Sequence, residues 1–275
     1  MCYSKEVKDL STQTRSIREN ILSMIAEAGS GHPGGSLGSV EIFASLYFNI
    51  INHDPKVPTL PQRDRVLLSA GHICPAWYAT LAQAGYFEMG ELLTLRKLGS
   101  RLQGHPEYKN GHSLPGIENS SGPLGQGLSQ AIGLALSFKL DNLPNQVYCV
   151  MSDGEQQEGQ TMEALLYAGS NNISNLTILI DRNNIQLSGN TKDILPLRDL
   201  GRRIRQFGWT VFEVDGHNTD QITNAALKAK DNKFSPSAII CHTTPGKGVS
   251  FMENDYTWHG KKLSKEDYQK ALREL

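Results

Sequence analysis

Two short apolar runs stand out in an otherwise mixed chain. Residues 146–151, Gln-Val-Tyr-Cys-Val-Met, run into Ser152-Asp153-Gly154-Glu155, and residues 175–180, Asn-Leu-Thr-Ile-Leu-Ile, run into Asp181-Arg182-Asn183-Asn184. Continuous apolar stretches of this length read as buried strands. Residues 159–170 between them carry helical spacing, so the unit reads as strand, helix, strand. A crossover helix makes the two strands parallel. Their carboxyl ends then share one edge of the sheet, where open α/β folds bind ligands.

The same alternation extends along the chain. An amphipathic helix is expected over 7–28, with Ile17, Ile21, Met24 and Ile25 on one face, and the glycines of 29–35 break it. Helices are expected over 39–49, 75–84, 88–95, 124–140, 198–207, 220–230 and 265–273. Strands are expected over 65–69, 210–214 and 237–241. Strands alternating with helices predict an α/β fold, a mainly parallel sheet with helices on both faces. No repeat or low-complexity linker divides the chain, so residues 1–275 read as a single domain.

Composition narrows the function classes. The 275 residues carry a formal net charge of −1, with 20% charged and 39% apolar residues. That balance lacks the basic footprint of a nucleic-acid binder. No apolar run approaches the roughly twenty residues of a membrane span. The polar first twenty residues lack a signal-peptide core. Cys2, Cys74, Cys149 and Cys241 have neither metal-like nor disulfide-framework spacing, and Cys149 and Cys241 fall in expected strands as small hydrophobes. A reduced, cytoplasmic setting is the expectation.

The two strand tips carry the chemistry. Asp153 supplies a carboxylate, Asn183 a carboxamide oxygen, and the loop after it backbone carbonyls. Such hard oxygens suit Mg²⁺, which completes its shell with water and phosphate. Gly154 lets backbone approach a diphosphate, and the helix that follows points its N–H groups at it. Taken singly, Asp-Gly and Asn-Asn are ordinary turns, as Asn171-Asn172 is expected to be. The pairing after two apolar runs raises their meaning.

Four loops place histidine beside glycine: His32, His72, His105 and His259. A fifth, residues 121–127, is glycine-rich and opens a helix. Neutral imidazoles can orient hydroxyls and relay protons near neutral pH. One such histidine is usually a surface or capping residue; four flanking one sheet favour a common polar pocket. His53 and His112 read as surface-loop residues and His217 as part of a turn, while His242 at a strand end stays open. Lys247 lacks the spacing of a phosphate-binding P-loop.

Taken in order, GSGHPGG, SAGH, GHPE, SSGPLGQG, SDGE…EG, DRNN and WHG make the chain resemble the N-terminal, cofactor-binding part of transketolase, from about residue 16 to the last helix. The first position of its Gly-Asp-Gly motif is Ser152 here. The resemblance implies a thiamine diphosphate-binding fold, with thiamine diphosphate and Mg²⁺ as cofactors. It implies Asp153, Asn183 and the Ile185 carbonyl as metal ligands, and Gly154, His72 and His259 at the diphosphate. Gly122, Pro123 and Leu124 correspond to the loop at the cofactor's rings. It implies His32, His105 and His259 as catalytic, with His259 and His32 at the donor's C3 hydroxyl and His105 at its C1 hydroxyl. Glu158 corresponds to an acidic residue at the interface between subunits.

The resemblance also implies what lies elsewhere. In the family, the glutamate that activates the cofactor's pyrimidine, and the arginines that bind substrate phosphate, belong to a second domain. The expected function is therefore that of the N-terminal subunit of a split transketolase. With a C-terminal partner in an α2β2 assembly, it would move a two-carbon ketol unit between sugar phosphates. The final segment reads as a finished helix end, which favours a natural subunit over a fragment. Two alternatives stand: a deoxyxylulose phosphate synthase-like subunit, and a non-catalytic cofactor-binding or scaffold subunit. The loop from Gly122 to Gly127 favours transketolase over the synthase.

Overall fold

The computed structural model describes residues 8–109 and 113–275, so Cys2 and His112 lie outside the described residues. The chain begins with α1 (Ser11–Ala28), α2 (Pro33–Gly38) and α3 (Val40–Ser45), which widens into a π turn over Leu46–Ile50. Then follow β1 (Arg65–Leu68), α4 (Cys74–Gln83), α5 (Gln126–Leu140), β2 (Val147–Ser152), α6 (Gly159–Ser170) and β3 (Leu176–Arg182). A small antiparallel hairpin, β4 (Ile185–Gln186) and β5 (Gly189–Asn190), leads to α7 (Thr191–Ile194) and α8 (Leu200–Gln206). The chain closes with β6 (Thr210–Asp215), α9 (Thr219–Asp231), β7 (Ser237–His242) and α10 (Lys265–Glu274).

The five main strands are all parallel, in the order β1-β2-β3-β7-β6. Ser152 pairs with Asp181 and Arg182 with His242, so the tips of β2, β3 and β7 finish level with one another. The order explains the helix placement. The step β2–α6–β3 runs across the sheet one way and β6–α9–β7 the other, and right-handed crossovers put their helices on opposite faces.

Side-chain alternation fills both faces. Val147, Cys149 and Met151 of β2 join a core with α5, α6 and α8. Tyr148 and Val150 point the other way, into a core built with α1, α3, α4 and α9. Each interior strand therefore reads as an unbroken apolar run, as strands covered on both sides must. The larger core includes the fully buried Trp77, whose indole N–H donates to Tyr47 Oη at 2.7 Å beside stacked Phe43.

Several local expectations are corrected. Residues 88–95 are not an α-helix: a 3₁₀ stretch covers Met89–Thr94, with Leu92 its buried side chain. One anchoring residue and Gly90 give an α-helix little to stabilise it. The glycines of 29–35 do not simply break the chain, because α2 starts at Pro33, whose fixed φ suits a first helical turn. The helix expected from residue 124 starts at Gln126, after Gly125 in the left-handed region. His53 is not a free surface residue: its ring nitrogens sit 3.0 Å from Tyr86 Oη and 2.7 Å from the Tyr47 carbonyl, and the ring stacks on Tyr86.

Candidate functional site

The carboxyl edge of the sheet gathers the loops singled out by their composition. His72 lies in the turn just past β1, Asp153 at the end of β2 and Asn183 just past β3. His32 immediately precedes α2, and His259 ends a 3₁₀ turn, Tyr256–His259. These last two are held together because α2 and that turn touch backbone to backbone. Gly246 N–H donates to the Gly34 carbonyl at 2.8 Å, and a Cβ on Gly34 would lie 3.1 Å from the Trp258 carbonyl oxygen.

All four glycine-flanked histidines converge. Ring centroids are 5.4 Å apart for His32 and His72, 6.2 Å for His32 and His105, 5.6 Å for His32 and His259, and 5.0 Å for His72 and His259. They border a cavity of about 420 Å³ whose other walls include Gly122, Leu124, Gly154, Glu158, Asn183 and Ile185. Burial holds every one of these imidazoles below the usual histidine range, His32 down to about 4, with the neighbouring His259 and Arg96 adding to it. They are therefore neutral near pH 7, able both to donate and to accept. The His32 Nδ1 is buried without a hydrogen-bond partner. A polar atom left so beside a cavity suits a ligand.

Asp153 lies wholly buried beneath this cavity rather than in its wall. Its carboxylate accepts from the N–H of Gly154 at 2.8 Å and of Asn184 at 2.7 Å, and Arg182 Nη1 stands 3.4 Å away. Burial nonetheless pushes it up to about 6. A carboxylate that costly to ionise gains from a nearby cation. Asn183 Oδ1 accepts one bond, from Ile185 N–H at 3.0 Å, which leaves it a second lone pair. Among the described residues, no group of three or more His, Cys, Asp and Glu side chains is placed to hold a metal ion. Asp153 and Asn183 offer instead one carboxylate and one carboxamide oxygen, hard donors of the kind Mg²⁺ prefers.

Sequence reasoning missed Glu155. Wholly buried, it accepts from Ser69 Oγ, from Gly125 N–H at 2.5 Å and from Ser152 N–H at 3.3 Å. It thereby ties the tips of β1 and β2 to the glycine-rich loop, and burial raises it to about 7. A faint signal was available: a second carboxylate two residues past Asp153 at a buried strand end. Pro123 is exposed and outside the cavity wall, between Gly122 and Leu124, which line it. His242 is exposed beside Glu213, 3.3 Å away, and also outside the wall. His217 does occupy a turn, but also bridges Glu41 and the Thr244 N–H, at 3.0 and 2.7 Å.

A parallel α/β sheet whose carboxyl edge carries a glycine- and histidine-lined cavity over a buried carboxylate defines a cofactor-binding enzyme domain. The comparisons with known proteins agree and go further. Residues 11–275 match the family model for the transketolase thiamine diphosphate-binding domain. The chain belongs to the transketolase family and corresponds to the N-terminal, thiamine diphosphate-binding part of its longer members. It is 42% identical over 272 residues to the 6-deoxy-6-sulfo-D-fructose transketolase subunit SqwG of Clostridium sp. (strain MSTE9), covering 99% of this chain and 98% of that one. It is 36% identical to one of the subunits of apulose-4-phosphate transketolase from Phocaeicola vulgatus, covering 98% and 95%. Human transketolase is 34% identical over 98% of this chain, which spans only 42% of its length. The transketolase structure from Leishmania mexicana superposes with a TM-score of 0.89 at 30% identity, covering 97% of this chain and 41% of that one. No helix among the described residues is long and apolar enough to cross a membrane.

Proposed function

We propose that this chain, as one domain over residues 1–275, is the cofactor-binding subunit of a two-chain, cytoplasmic transketolase completed by a C-terminal partner in an α2β2 assembly. The reading is carried by the convergence of His32, His72, His105 and His259 on a single cavity above Asp153. Its near full-length likeness to chains named as transketolase subunits supports the two-chain part.

Asp153, Asn183 and the Ile185 carbonyl would hold Mg²⁺, with Gly154, His72 and His259 toward the diphosphate. Gly122 and Leu124 would flank the cofactor's rings, with Pro123 shaping the turn between them. Thiamine diphosphate, when bound, supplies the nucleophilic carbon and electron sink for cleaving and remaking a ketose C2–C3 bond. The chain's own contribution is position and proton handling. His32 and His259, neutral because buried, would accept from the donor's C3 hydroxyl, and His105 would orient its C1 hydroxyl. A ketose phosphate or a terminally sulfonated ketose would be the donor and an aldose phosphate the acceptor. The sulfonated choice follows from the 42% identity to a subunit named for 6-deoxy-6-sulfo-D-fructose.

The test is a ketol-transfer assay with thiamine diphosphate and Mg²⁺. This chain is assayed alone and mixed with the product of an adjacent reading frame resembling the C-terminal half. Xylulose 5-phosphate and 6-deoxy-6-sulfofructose serve as donors. Turnover only in the mixture is expected. Turnover by this chain alone, or complex formation without turnover of either donor, defeats the reading.

A further inference from the structure

We propose that Arg96 is a positioning residue for ketol transfer, locking the His32 loop to the His105 loop so that both imidazoles meet the sugar in one fixed arrangement. This rests on the reading just given. The geometry comes from both sides of the guanidinium. Arg96 Nη1 donates to Ser30 Oγ at 3.2 Å, two residues before His32. On its other side it lies flat against Gly104, which directly precedes His105: a Cβ there would stand 2.8 Å from Arg96 Nε. A side chain there would push the guanidinium out of this position.

The backbone at Arg96 is itself unusual. Arg96 has φ of +61°, in the left-handed region that costs a non-glycine residue energy, and its N–H is fixed to the Leu102 carbonyl at 2.8 Å. The charge is also left uncompensated. Glu107, which lines the same cavity, is taken by Lys109 at 2.9 Å. Arg96 has no carboxylate partner among the described residues. Instead it lines, with Ser30, His105 and Ser121, a polar cavity of about 750 Å³ that shares His105 with the histidine cavity. The Ser121 hydroxyl there is buried without a partner.

The same placement adds to the neutrality that burial gives His32 and His105. His32 faces His72, His105, His259 and Arg96; His105 faces His32 and Arg96, with Glu107 on its own loop held by Lys109. Burial is the main cause of the lowered His32 and His105 values, and the Arg96 charge depresses both further. Removing that charge raises both imidazoles toward the ordinary range.

The experiment compares Arg96→Gln and Arg96→Lys with wild type, with the C-terminal partner present, in kcat, KM and pH profile. In parallel, the His32 and His105 titrations are followed by NMR in the full chain. Arg96→Gln should lower kcat on the order of 10-fold to 100-fold, the cost of a small misplacement. It should leave thiamine diphosphate affinity unchanged, and move the acid limb of kcat/KM and both titrations to higher pH. Arg96→Lys should restore the titrations but not kcat, since an ammonium cannot hold both loops at once. Unchanged kcat in folded Arg96→Gln overturns the proposal, as does a loss matched by Arg96→Lys with unmoved titrations. An inactive wild-type complex with titrations that still shift would condemn the transfer reading alone; titrations that do not shift condemn this one.

Discussion

At the residue scale, the site works by withholding water from groups that would prefer it. Asp153 is a carboxylate buried to the point where its ionised form is costly, held by two backbone N–H groups. Asp153→Asn keeps the shape and removes the charge a cation needs. We expect Mg²⁺-dependent binding of thiamine diphosphate to weaken by at least about 10-fold, as losses around metal ligands do, with the circular dichroism spectrum unchanged. Calorimetry with and without Mg²⁺ measures it; equal affinity removes Asp153 from the metal site. The histidines give a signed pH prediction. Their folded values lie below 6.5, so they stay neutral as pH falls through that value and charge only at lower pH. The acid limb of kcat/KM should therefore lie below pH 6.5, and a pH–rate profile with its limb at or above that value contradicts their role. Asp153, Asn183 and the four histidines were legible in sequence because each follows an apolar run or flanks a glycine. Glu155 was not, because the partners that give it a role, Ser69 and Gly125, are 86 and 30 residues away.

At the scale of elements, the informative feature is how the loop after β7, which brings in His259, is fastened. Glu41 of α3 takes Arg18 of α1 through both oxygens at 2.7 and 2.8 Å. It also meets His217 Nδ1, while His217 Nε2 accepts from the Thr244 N–H. That acceptance fixes the tautomer, so Nδ1–H donates to Glu41. Arg18 Nε adds a bond to the Lys247 carbonyl at 3.1 Å. Two helices thus clamp a loop far away in sequence. Glu41→Ala would leave the Arg18 charge buried without its partner, which costs about 3–5 kcal/mol. Urea unfolding should show that loss, and limited proteolysis should show early cleavage between residues 243 and 257. A loss under about 1 kcal/mol would mean water or another group replaces the carboxylate. Periodicity placed α1 and the strands well, because their patterns run over enough residues to be read. It misread 88–95, where a single buried leucine sets no period, and missed α2 and β4–β5, which are too short to show one.

On the scale of the whole molecule, two cores back the sheet, and the histidine-lined cavity lies at its carboxyl edge. If a partner supplies a further wall, cofactor binding and assembly are linked, since each favours the conformation the other needs. Adding the C-terminal chain should tighten thiamine diphosphate binding by at least about 10-fold, within the usual range of such couplings. Fluorescence titration with and without the partner decides it, and equal affinities would mean that this chain holds the cofactor unaided. The sequence by itself determined the α/β class, the strand tips that carry Asp153 and Asn183, and the family. Those depend on local patterns: apolar runs, glycine-flanked histidines and fixed spacings. Only the tertiary structure decided that His72, His105 and His259, from three other loops, stand 5.4–6.2 Å from His32. It alone decided that Asp153 lies beneath the cavity rather than in it, and that Arg96 spans two of those loops. Distance, burial and unpaired charge arise between segments far apart in the chain, and no local pattern of residues encodes them.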